Sequence, residues 1–172
     1  MVEATGRLVE NKVVVDDLDF ASLYKQKGFG ELKDKLLHLS LHEAVYLSEK
    51  GKLAVEEGKK AVPVKELLKL GSKQEQRFLS KNLVFKDLRE RGYVVRTGLK
   101  YCVDFRVYPR GQALEEAHSK WIVHVVSEEE KFDIFDITRA VRLAQSVKTN
   151  LIFAIVDAEG DISYYKIKWI RP

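Results

Sequence analysis

Tyr108 and His118 stand ten residues apart, across Pro109-Arg110-Gly111. A phenol and an imidazole are residue types suited to metal-free RNA cleavage. In that reaction the 2′-hydroxyl attacks the adjacent phosphate, so one group must take its proton and another must protonate the leaving 5′-oxygen. A cation must stabilise the added negative charge on the phosphorane. Imidazole, titrating near about pH 6.5, suits the acid; a phenol, near about 10, serves as base only with cations beside it. Arg106, Arg110 and a nearby lysine are such cations. The same spacing also fits a plainer reading, a tyrosine packed at a strand end and a surface histidine.

Other chemistries lack their residues. There is no Gly-rich phosphate loop, no His/Cys cluster at metal spacing and no G-x-S-x-G elbow. Asp104 has no Glu-x-Lys or Asp-x-Lys partner, so a two-carboxylate magnesium nuclease is not expected. The single cysteine, Cys102, precludes an internal disulfide, and with four histidines it argues against structural zinc. The expectation is an activity with no metal and no cofactor.

The 172 residues are 45% hydrophobic and 33% charged, enough apolar material for a core and unlike a disordered chain. The formal charge of +4 is ordinary, but it is unevenly spread. Lys86, Arg89, Arg91, Arg96, Lys100, Arg106 and Arg110 make a basic stretch of the kind a phosphate backbone needs, or simply a solvated face. Glu128, Glu129, Glu130, Asp133 and Asp136 crowd an acidic one. No apolar run approaches the ~18–20 residues of a membrane span, and MVEATGRLVENK lacks a signal peptide's apolar block. A cytoplasmic protein with no membrane partner is expected.

The elements that must position these groups follow from local pattern. Arg7–Val9 and Val13–Val15 predict a hairpin, Phe20–Gln26 a short helix, Lys52–Val55 a strand. Ser40-Leu41-His42-Glu43 is a capping box opening a helix that Gly51 ends; Pro63 opens another, Val64–Leu70, ending at Gly71. Ser72-Lys73-Gln74-Glu75 predicts a second box, opening a helix that runs to Arg91. The boundary is set near residue 80, giving domains 1–80 and 81–172. Beyond it, Tyr93–Arg96 and Lys100–Tyr108 flank a Thr97-Gly98 turn, with Tyr101, Val103, Phe105 and Val107 on one face and Cys102, Asp104, Arg106 and Tyr108 on the other. Ser119–Val126 is a strand, and a helix after Asp136 carries Ile137, Ala140, Val141, Ala144 and Val147 on its apolar stripe. Leu151–Val156 and Ile162–Trp169 pair across Ala158-Glu159-Gly160. The fold class is α/β (α+β): a small N-terminal α/β domain, then a mixed sheet flanked by helices.

The run Tyr93-Val-Val-Arg-Thr-Gly-Leu-Lys-Tyr-Cys-Val-Asp-Phe-Arg-Val-Tyr108, followed by His118-Ser119, resembles archaeal tRNA-splicing endonucleases of the short, homotetrameric kind. GFGE at 28–31, LSLHEAVYL at 39–47, KDLRERGY at 86–93 and AIVDAEGDISYY at 154–165 extend the resemblance to nearly full length. It implies a C-terminal nuclease domain that cuts precursor tRNA at a bulge–helix–bulge fold, leaving 2′,3′-cyclic phosphate and 5′-hydroxyl ends without a metal. By position it makes Tyr108 the general base and His118 the general acid. The family's third catalytic residue is a lysine at a helix-to-strand junction, in a pattern like Ser-Val-Arg-Lys. The chain here reads Ser146-Val147-Lys148-Thr149, so Thr149 takes the lysine's place and Lys148, one residue early, is the candidate stabiliser. Cys102 stands where the family has glycine and is given no role.

The resemblance further implies that Arg142, with Arg139 as a second candidate, stacks on a bulged base. It makes the turn bearing Asp157, Glu159 and Asp161 an acidic loop that joins two dimers into a homotetramer, with the C-terminal strands as the dimer edge. The alternatives are a non-catalytic structural subunit of a heterotetrameric enzyme, which the displaced lysine favours, and a general RNA-binding module.

Overall fold

The computed structural model describes residues 2–98, 103–109, 118–131 and 133–171. The chain divides into two compact units, Met1–Leu79 and Ser80–Pro172.

In the first unit, β1 (Ala4–Val9) and β2 (Lys12–Val15) form the hairpin, and Asp17 caps α1 (Leu18–Gln26) by accepting from the Phe20 amide. β3 (Glu31–Lys33) and β4 (Leu36–Ser40) follow; β3 is exposed throughout and too short to show alternation, so its sequence carries no strand signal. Ser40 caps α2 (Leu41–Glu49) as expected, its Oγ accepting from the Glu43 amide at 3.4 Å while Glu43 Oε2 accepts from the Ser40 amide at 2.8 Å. The other carboxylate oxygen of Glu43 accepts from the Gly30 amide, which justifies burying this acid. β5 (Leu53–Glu57), β6 (Lys60–Ala61) and α3 (Val64–Gln74) complete the unit. Its described strands form one sheet in the order β3-β4-β2-β1-β5-β6, parallel only at β1–β5.

The second capping box is a misreading. Helix α3 runs through Gly71 to Gln74, and the Ser72 hydroxyl donates back to the Leu68 carbonyl inside it. Gly71 is there for packing, since a Cβ would collide with the Phe78 ring. The helix stops where Glu75 turns extended and Arg77 takes a left-handed φ of 62°. A new helix, α4 (Phe78–Glu90), then begins.

The second unit continues with β7 (Val94–Thr97), β8 (Phe105–Tyr108), β9 (Trp121–Ser127), α5 (Ile134–Ser146), β10 (Asn150–Val156) and β11 (Ile162–Ile167). The described strands make a mixed sheet in the order β11-β10-β9-β8-β7, parallel only at β9–β10, where α5 is the crossover. Ile122, Leu151 and Phe153 pack under Ala144 and the stripe of α5, whereas Phe105 meets Phe85 of α4 on the other side. Asp133, not Asp136, caps α5, accepting from the Phe135 amide.

Of the strand expected over Lys100–Tyr108, 99–102, with Tyr101 and Cys102, lie outside the described residues, and β8 starts at Phe105 rather than Val103. Strict alternation fails at Asp104. Val103 joins the α5 side and Phe105 the α4 side, because the Asp104 carboxylate is drawn inward to the Val125 amide, Lys81 and His124. Among the described residues, no helix is long and apolar enough to cross a membrane.

Candidate active site

Register alone brings the sequence-predicted chemistry to one end of the second sheet. Val107 of β8 is opposite Trp121 of β9, and Trp121 is opposite Asn150 of β10. The chain therefore leaves β8 at Tyr108, enters β9 just after His118, and enters β10 just after Lys148 and Thr149. Hydrogen bonds stitch these three segments together. The Lys120 amide donates to the Val107 carbonyl at 2.8 Å, the Thr149 hydroxyl to the Ser119 carbonyl at 2.8 Å, and the Asn150 side-chain amide to the Lys120 carbonyl at 3.4 Å.

Tyr108 is largely covered, at 7% exposure, and the Arg106 guanidinium carbon lies 5.9 Å from its ring centroid. That cation is one of those the sequence reading placed beside the phenol; Arg110 lies outside the described residues. Among the described residues no hydrogen-bond partner is found for the Tyr108 hydroxyl. His118 is exposed.

Lys148 and Thr149 part company at the end of α5. The Lys148 amide donates to the Gln145 carbonyl and the Thr149 amide to the Ala144 carbonyl, a paired closure of the last helical turn. This closure puts Lys148 in the left-handed region at φ 54°, with an exposed side chain. Such a position ordinarily favours Gly or Asn, so a lysine here carries a backbone cost of ~1–2 kcal/mol. Thr149 is already aligned with the sheet, its hydroxyl spent on Ser119.

Arg142 and Arg139 lie one turn apart on α5, both exposed; Arg139 approaches Asp136 at 3.7 Å, a surface pair worth little. The acidic turn is not part of this cluster. Asp157, Glu159 and Asp161 lie beyond Val156, at the far end of β10 from Asn150, ~20 Å away at strand rise. Asp157 accepts from the Asp161 amide, Gly160 takes φ 88°, and Glu128 accepts from the Ala158 amide, so the turn is a defined one.

Sequence reasoning missed one charged network. Asp104, 8% exposed at its side chain, meets Lys81 Nζ at 2.8 Å and His124 Nδ1 at 3.2 Å and accepts from the Val125 amide. Burial pushes its carboxyl up, but the bonds from His124, Lys81 and Val125 outweigh it and hold the group at about 2. Lys81 sits 23 positions away on another element, and no local spacing announces the pair. Among the described residues, no group of three His, Cys, Asp or Glu side chains is placed to hold a metal ion.

Comparison with known proteins agrees with the sequence resemblance. Residues 4–68 match the family model described as tRNA intron endonuclease, N-terminal domain, and residues 78–164 match that of the catalytic C-terminal domain. The chain is 48% identical over 149 residues to a tRNA-splicing endonuclease of Thermococcus gammatolerans, covering 87% of each chain. It is 43% identical to one of Pyrococcus furiosus, covering 87% of this chain and 85% of the relative. It is 41% identical to one of Methanococcus vannielii, covering 96% and 94%.

Proposed function

This chain belongs to the tRNA intron endonuclease family, and from that premise we propose that it cuts precursor tRNA at both junctions of a bulge–helix–bulge fold, without a metal. Tyr108 takes the proton of the 2′-hydroxyl, which attacks the neighbouring phosphorus. His118 protonates the departing 5′-oxygen, and Lys148 stabilises the phosphorane. The products are a 2′,3′-cyclic phosphate and a 5′-hydroxyl.

The observation that carries the reading is the stitched row of Val107, Ser119–Lys120 and Thr149–Asn150, which draws the three candidate segments to one sheet end. The Arg106 guanidinium beside the Tyr108 ring supports the reading by bringing a cation to this end of the sheet. Arg142, with Arg139 second, is the stacking anchor for an unpaired base, consistent with exposed guanidiniums on the solvent side of α5. The assembly is a homotetramer, a dimer of dimers working in the cytoplasm. Asp157, Glu159 and Asp161 enter a basic pocket of a neighbouring subunit, and β11, an edge of the described sheet with Tyr165 exposed, is the dimer edge.

A second reading, a structural subunit that binds RNA without cutting it, is favoured by Thr149, which stands in the lysine's place and commits its hydroxyl to Ser119. Incubating the purified protein alone with a minimal bulge–helix–bulge RNA separates the two. Cuts at both bulges are expected; binding without cutting would establish the structural subunit instead.

A further inference from the structure

The end of the sheet that carries Tyr108 has a second dressed face. Tyr93, just before β7, and Trp121, the first residue of β9, meet edge to face with ring centroids 5.0 Å apart. The Lys120 ammonium lies over both, 4.4 Å from the Trp121 centroid and 5.5 Å from that of Tyr93. Trp121 pairs with Val107 and Val107 with Val95, so strand alternation puts both rings on the face opposite the Tyr108 side chain. Yet the Lys120 backbone is bonded directly to the residue before Tyr108, and its carbonyl takes the Asn150 amide.

The negative face of an aromatic ring holds an ammonium in place without cancelling its charge. Among the described residues no carboxylate stands within ion-pair distance of Lys120. Among the described residues this lysine is therefore fixed by its backbone, steered by two rings and paired with no carboxylate. We propose that Lys120, held on Trp121 and Tyr93, binds a backbone phosphate of the RNA next to the scissile one. The inference rests on the proposed cutting of precursor tRNA: a strand crossing the sheet end brings one phosphodiester to Tyr108 and a neighbouring one to Lys120. The role is binding alone, since the ammonium lies over the Trp121 and Tyr93 rings rather than that of Tyr108.

The test is salt-dependent RNA affinity of the full chain, with bulge–helix–bulge RNA as probe. Neutralising one phosphate contact removes a slope of about 0.7–0.9 from the plot of log affinity against log salt. Lys120→Ala is expected to lose that much slope and to weaken binding roughly tenfold at moderate salt, while the cutting rate at saturating RNA changes less than about twofold. Lys120→Arg, which also stacks on rings and binds phosphate, is expected to recover most of the affinity. Trp121→Leu, which removes the platform but not the charge, is expected to keep the slope and weaken binding by less. Unchanged affinity and slope in Lys120→Ala, with wild type cutting normally, would overturn this inference alone. A wild type that neither binds nor cuts the RNA would overturn the proposed function and this site together.

Discussion

At the scale of single residues, three side chains have distinct roles in the proposed mechanism. Tyr108→Phe and His118→Ala are each expected to slow cutting by about 10²–10⁴, the usual weight of a general acid or base. RNA affinity, followed by anisotropy of a labelled RNA, should stay within about twofold. Lys148 permits a sharper separation, because its left-handed backbone and its charge pull in opposite directions. Lys148→Gly relieves the backbone cost, so a thermal melt should show stability unchanged or raised by up to ~1 kcal/mol. The same variant removes the cation, so cutting should fall by about 10²–10³. A large gain in rate from Thr149→Lys would show that Lys148 is not the stabiliser. As candidates, Tyr108 and His118 were legible from the run 93–119, and the displaced lysine from Ser146-Val147-Lys148-Thr149. The reason Lys148 and Thr149 differ was not, since the closing bonds to Gln145 and Ala144 depend on where α5 ends.

At the scale of elements, the Asp104 network ties α4 and the start of β8 to the middle of β9. Its carboxyl sits at about 2 when folded, against about 3.8 ordinarily, so its stabilisation is present above about pH 4 and is lost as pH falls toward 2. Acid unfolding followed by circular dichroism should therefore steepen in that window, and Asp104→Asn should lack the step. Because the substitution removes the negative charge that Lys81 and His124 both face, it should also lower stability at neutral pH, by on the order of 2 kcal/mol. Helix signals were legible where capping chemistry was complete, as at Ser40 and Glu43. They misled at Ser72, where a serine three residues before a glutamate is followed by no helix start, because Gly71 lets Phe78 pack against α3 and the chain breaks later. Likewise β3 left no trace, since three exposed residues alternate against nothing.

At the scale of the whole molecule, the acidic turn and the candidate active site occupy opposite ends of one sheet, which suits two separate tasks. Replacing Asp157, Glu159 and Asp161 together by their amides is expected to shift the particle mass from tetramer toward dimer in light scattering, with far-ultraviolet circular dichroism unchanged. A tetramer that survives the triple change would remove the loop from the assembly. The fold class, an α/β part followed by a mixed sheet with helices, was readable from the order of the elements along the chain, whereas subunit contacts lie outside what one chain's pattern encodes.

The central claim is that a phenol and an imidazole cut RNA by internal attack of the 2′-hydroxyl. End-group analysis of fragments made in excess EDTA tests it most directly. Termini of 2′,3′-cyclic phosphate and 5′-hydroxyl are expected at both bulges, formed at the same rate with or without added magnesium. Fragments ending in 3′-hydroxyl and 5′-phosphate, or cutting that starts only when magnesium is supplied, would contradict it.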